Sequence, residues 1–118
     1  SLYPVARPQA DYDRSLRIIS ESKKRGAVTK TGIMVGLGET REQILVLMED
    51  ALSAGCDILT IGQYLQPTKA HLSVVRYVEP AEFKSYEEAG LTLGFRAVYS
   101  GPLVRSSFHA AEIALAQV

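Results

Sequence analysis

The chain has 118 residues, 47% hydrophobic and 22% charged, a balance that suits one globular unit with a real core and excludes a disordered or fibrous chain. Its 13 basic and 13 acidic side chains cancel, so the positive footprint of a nucleic-acid binder is missing. No apolar run nears the roughly 20 residues that a membrane-spanning helix needs, and one cysteine, Cys56, excludes an internal disulfide or a metal site built here from several thiolates.

In chain order, Pro4 and Pro8 mark an extended entry segment. Asp11 is the expected N-cap of a helix from about Tyr12 to Lys24, with Tyr12, Leu16 and Ile19 on one face. Lys23, Lys24 and Arg25 suit the negative end of its dipole, and Gly26 suits a left-handed stop. A buried strand is expected over Thr31-Gly32-Ile33-Met34-Val35. It runs through Gly36-Leu37-Gly38-Glu39 to Thr40, which with Gln43 forms a capping box. Ile44, Leu47, Met48, Ala51 and Leu52 then make a helical apolar stripe that Gly55 ends.

Ile58-Leu59-Thr60-Ile61 reads as the next strand, and Gly62 to Pro67 as a loop rich in hydrogen-bonding side chains. Val74 to Val78 suggests a short extended piece. Pro80 suits the first position of a third helix whose inner face would carry Phe83, Tyr86 and Leu93. A third strand is expected at Ala97 to Tyr99, then Ser100-Gly101-Pro102 and a last helix ending near Gln117. This alternation implies an α/β fold with a parallel sheet. Three such units make about half of an eight-unit barrel, which typically needs about 250 residues. A small complete three-layer domain fits the same pattern. The start at Ser1 with no initiator Met suggests that upstream sequence is missing.

Three segments carry chemistry. In Gly32 to Thr40 a strand meets a glycine turn and a capped helix start, where backbone can approach a flat or anionic ligand closely. Arg41 in the third glycine position excludes a Rossmann fingerprint, and the absence of a following Gly-Lys-Ser/Thr excludes a P-loop. A tight turn without any ligand fits these glycines equally well. In the second segment, Gln63 and Gln66 suit hydrogen bonds to a nucleoside and Tyr64 suits stacking on one; amides that only satisfy nearby backbone are the plainer alternative. In the third, Ser106 or Ser107 suits the cap of a final helix. Cys56 reads as a packed core thiol, and His71 and His109 have no partners at metal-ligand spacing.

Gly32-Ile33-Met34-Val35-Gly36-Leu37-Gly38-Glu39 resembles the G-x-I-x-G-x-x-E motif on the fifth strand of radical S-adenosylmethionine enzymes, with Met34 replacing the isoleucine. Thr60-Ile61-Gly62-Gln63-Tyr64-Leu65-Gln66-Pro67, with His71-Leu72 and Val75-Arg76-Tyr77-Val78, is similar to the block after the sixth strand of lipoyl synthases. Ser100 to Ala110 resembles the Arg-Ser-Ser-Tyr motif near the end of that family, with Phe108 where tyrosine is usual. Val5 to Tyr12 is similar to the segment after its fourth strand.

The resemblance covers nearly the whole chain and implies the C-terminal half of a radical S-adenosylmethionine (β/α) partial barrel, residues 1–118 forming one portion of a single domain. It implies sulfur insertion at C6 and C8 of an octanoyl chain on a lipoyl carrier domain, the glycine cleavage H protein included. It also implies S-adenosylmethionine, two [4Fe–4S] clusters and an electron donor such as ferredoxin or flavodoxin. By the same resemblance, Gly36, Gly38, Glu39, Gln63, Tyr64 and Gln66 hold S-adenosylmethionine, Ser107 binds an iron of the auxiliary cluster, and Arg7 or Arg105 contacts substrate. The cluster cysteines of the family lie upstream of this stretch, so these residues alone are expected to be inactive. No nucleic acid or membrane partner is expected, and the compartment implied is the bacterial cytoplasm, or a mitochondrion or plastid in a eukaryote. Another radical S-adenosylmethionine enzyme and a non-catalytic α/β binding module remain open.

Overall fold

The computed structural model describes residues 9–104 and the backbone of 111–116, with side chains described over 10–104. The elements are α1 (Gln9–Lys24), β1 (Thr29–Val35), α2 (Arg41–Ala54), β2 (Ile58–Gln63), α3 (Pro80–Leu93), β3 (Ala97–Gly101) and β4 (Ala111–Ala116). The four strands form one parallel sheet in the order β3-β2-β1-β4. It is an α/β fold with helices packed on a parallel sheet, the arrangement of part of a β/α barrel.

Local signals place most of the helices. Tyr12 and Ile19 of α1 are buried and Leu16 packs against them. Ile44, Leu47, Met48 and Ala51 of α2 are inaccessible to solvent. Its capping box is complete: Gln43 N–H donates to Thr40 Oγ1 (3.1 Å) and Thr40 N–H donates to Gln43 Oε1 (2.9 Å). Gly55 closes α2 at φ +100, in the left-handed region. Pro80 opens α3 as expected, and Phe83 and Tyr86 face the core. Together with Ile33, Val35, Leu59, Ile61, Phe95 and Val98 these side chains fill the space between helices and sheet.

Several expectations are corrected. The first helix begins at Gln9 and not after an Asp11 cap. Asp11 lies inside the first turn, where its carboxylate accepts from Arg14 (2.6 Å) while facing the positive helix end. Leu93 is exposed and Phe95, past the Gly94 turn, is buried instead. Val74 to Val78, expected only as a short extended piece, is not overturned; it joins no ladder, its N–H groups going to Gly36 O and Gln63 Oε1. The largest departure is at the end of the chain. The alanine-rich stretch Ala111–Ala116 is a strand parallel to β1, not the final helix expected. Helix propensity in a run of Ala, Glu and Leu is weak beside the row of N–H and C=O groups that β1 presents on that side.

Candidate functional site

Successive side chains of a strand point to opposite faces, so the parallel register sorts the sheet. Ile33 and Val35, Leu59 and Ile61, and Val98 point into the helix-covered core. The opposite face carries the rows Gly32, Thr60, Tyr99 and, nearer the C-terminal ends of the strands, Met34, Gly62, Gly101. Two glycines flank nothing larger than backbone there, with the Met34 thioether at one side and the half-exposed Tyr99 ring below. Val104 lies close above: a Cβ on Gly62 would sit 2.7 Å from its carbonyl oxygen. The C-terminal ends of parallel strands are where α/β folds take ligands, and here Gly62 is buried while Met34 and Gly101 beside it stay partly exposed. Sequence reasoning misses Tyr99 and Gly101 as members of this face, and the one local signal for it is the alternation Ile58, Thr60, Gly62.

The glycine turn after β1 is held by its own glutamate. Glu39, 5% exposed, accepts from Gly36 N–H (3.0 and 3.2 Å to its two oxygens) and from Leu37 N–H (3.0 Å). The carboxylate therefore occupies the amides that an anionic ligand would otherwise use. Gly36 and Gly38 have φ of +107 and +98, which only glycine adopts without strain.

Over this turn runs a strap formed by residues 64–78. Val75 and Arg76 N–H both donate to Gly36 O (2.8 and 3.3 Å), and Tyr64 N–H donates to Val35 O (2.8 Å). Gln63, 3% exposed, donates from Nε2 to Tyr64 O (3.0 Å) and Arg76 O (3.1 Å), and accepts from Val78 N–H (2.8 Å). The Tyr64 ring is buried and its hydroxyl donates to Leu72 O, so its faces are packed and not open for stacking. Gln66, exposed, donates to His71 O (2.9 Å), and His71 Nδ1 lies 2.8 Å from Thr68 Oγ1. The structure thus brings Gly36, Gly38, Glu39, Gln63 and Tyr64 together around one turn, with Gln66 farther out in the strap. Their polar groups are directed mainly at backbone.

The far end of the strap is clasped to α3, joining a residue outside the helix to two on it. Arg76 grips the Glu82 carboxylate with both guanidinium nitrogens, and Tyr86 donates to the same carboxylate (2.8 Å). The Arg76 guanidinium foremost, with the Tyr86 hydroxyl, holds the Glu82 carboxyl below its ordinary range against the effect of burial. Burial, then Glu82, pushes the Tyr86 hydroxyl well up, so it stays a donor. Arg41 lies over the Tyr86 ring, 5.5 Å from its centroid.

Chemically the site fits an adenosyl group better than a metal. The partly exposed Met34 sulfur, the Gly101 backbone and the Tyr99 ring edge suit a purine face, whereas Gly62 between them is buried beneath Val104. No group of three or more His, Cys, Asp or Glu side chains converges among the described residues. Cys56 is buried just before β2, at the opposite end of that strand from the glycine turn. Its thiol is pushed up to about 11 by burial, with Sγ 3.2 Å from Ile58 O. The described residues therefore do not fit a [4Fe–4S] cluster. Ser107, Arg105, Arg7 and His109 lie outside the described residues. No helix among the described residues is long and apolar enough to cross a membrane.

No protein-family model matches the chain. Individual relatives do. It is 54% identical over 118 residues to a lipoyl synthase of Chlorobium limicola, covering 99% of this chain and 40% of that protein. It is 55% identical to those of Chlorobaculum tepidum over 111 residues and Rubrobacter xylanophilus over 113, covering 38% and 35% of their lengths. The chain thus spans about two fifths of the curated relatives it matches. At this identity over nearly all of its own length, the chain is lipoyl synthase-family sequence.

Proposed function

We propose that these residues serve in a lipoyl synthase, as the part of the barrel that receives the adenosyl moiety of S-adenosylmethionine. The whole protein would insert sulfur at C6 and C8 of an octanoyl chain on a lipoyl carrier domain such as the glycine cleavage H protein, with ferredoxin or flavodoxin as electron donor. The observation that carries this reading is the 54% identity along 118 residues, which runs through the glycine turn and the strap. S-adenosylmethionine, once bound and reductively cleaved, supplies the means of abstracting hydrogen from an unactivated carbon. This chain's share is placement: Met34 and Gly101, on the face that Gly62 keeps low, support the purine, while Gly36, Gly38, Glu39, Gln63, Tyr64 and Gln66 build the wall beside it.

Both [4Fe–4S] clusters would take their thiolates from outside this stretch, since Cys56 is buried and protonated. Ser107 is proposed as the oxygen ligand of the auxiliary cluster, and Arg7 and Arg105 as substrate contacts, on the motif resemblance alone. The compartment proposed is the bacterial cytoplasm, in keeping with bacterial relatives. The 118 residues by themselves are proposed to be inactive.

The test is complementation of a strain lacking its own lipoyl synthase. A protein joining this chain to the cysteine-bearing segment of a relative restores lipoylation of the carrier domain, and Ser107→Ala in that protein removes it. The 118 residues alone do not restore it. Lipoylation by the chain alone would overturn the inactivity, and full lipoylation by the Ser107→Ala protein would remove the ligand role.

A further inference from the structure

The Gln63 carboxamide is spent entirely within the chain. It extends from the last residue of β2, and its two donor contacts reach carbonyls on either side, Tyr64 O at 3.0 Å and Arg76 O at 3.1 Å. Its oxygen receives Val78 N–H at 2.8 Å. The strap presents a carbonyl and an N–H two residues apart, and a primary amide is the side chain that answers both at once. The other side of this contact is built to match. A Cβ on Gly36 would sit 2.4 Å from Gln63 Nε2 and 2.6 Å from Arg76 O, so strap and turn meet with no room for a methyl group.

We propose that Gln63 is a positioning residue and not a ligand contact: its carboxamide pins the 64–78 strap onto the Gly36 turn and thereby sets the rim of the glycine-lined face. The consequence for ligand rests on the adenosyl reading of that face; the pin itself does not.

Gln63→Glu is the probe. It keeps the size and the acceptor, but replaces the donor with a carboxylate oxygen facing two carbonyls. Burial and those carbonyls raise the pKa of the introduced acid. The protonated acid, which donates once, holds the strap, and ionisation releases it as pH rises through that raised value. Amide hydrogen exchange of the full 118-residue chain reads this directly. At about pH 8 the protection of Val75, Arg76 and Val78 should fall by about tenfold or more against the native chain at the same pH, and at about pH 5 return to within about threefold. Ile33 and Ile61, in the strands, should keep theirs throughout.

Gly36→Ala drives a Cβ into the same amide, and should expose the same three amides at both pH values. It therefore tests the pin even if the glutamate variant fails to fold. Native protection at all three amides in Gly36→Ala, or an equal loss at both pH values in Gln63→Glu, overturns the proposal. Calorimetric titration of S-adenosylmethionine is the second arm: with Gln63→Glu the affinity should be at least about tenfold weaker at the higher pH only. If the native chain binds none while the exchange pattern holds, the adenosyl reading fails and the pin stands.

Discussion

Asp57 shows how much one side chain organises at the end of the sheet away from the glycine turn. Its carboxylate accepts from Lys23 at the end of α1 (2.8 and 2.9 Å) and from Thr29 N–H at the start of β1 (3.0 Å), and Arg96 before β3 stands 3.7 Å away. Burial pushes this carboxyl up, but Lys23, the Thr29 N–H and Arg96 together outweigh it and hold it below the usual carboxylate range. A depressed folded pKa means that the stabilisation is present above the unfolded value near about 3.9 and is lost as pH falls through the folded value. Asp57→Ala should cost about 2 kcal/mol in urea denaturation, mainly because the buried Thr29 N–H loses its acceptor. Lys23, 41% exposed, is screened and adds less. The difference from the native chain should shrink below about pH 3. Nothing local marks Asp57, whose partners are 28 to 39 positions away. Cys56 beside it was legible as a core thiol, because an isolated cysteine between a helix stop and a strand has only packing to do.

Among the elements, α2 is the one most completely determined by neighbouring residues. Thr40, Gln43, the stripe from Ile44 to Ala51 and Gly55 act within a few residues of each other, and all take the places that their spacing implies. Thr40→Ala should remove one side of the capping box and cost about 1 kcal/mol, read as a lowered denaturation midpoint with unchanged slope. The strap and β4 lie at the other extreme. Val74 to Val78 has the composition of a strand, yet its N–H groups go to Gly36 O and Gln63 Oε1, acceptors supplied by a turn and a side chain and not by a neighbouring strand. Gln63 and Tyr64 illustrate the same gap inside the candidate site. Their types suggested a nucleoside, whereas burial and nearby carbonyls turned them to the backbone.

At the scale of the molecule, three helices and a parallel sheet produce one packed face and one lined by Met34, Gly62 and Gly101 beneath Val104, but among the described residues no thiolate site. Anaerobic loading of the 118 residues with iron and sulfide should therefore give no stable cluster, judged by the visible charge-transfer absorption after desalting. A cluster that persists would contradict the burial of Cys56. The sequence by itself determined the α/β class, the first three helices and first three strands, the turn at Gly36–Glu39 and the family resemblance, because periodicity, caps and motifs act over short stretches and survive without coordinates. Only the tertiary structure decided that Ala111–Ala116 is a strand, that Met34, Gly62 and Gly101 form one row, and that the strap closes on the turn. Each of these is a pairing between distant residues, and such a contact is set by which hydrogen-bonding groups and surfaces remain unpaired once the rest has packed.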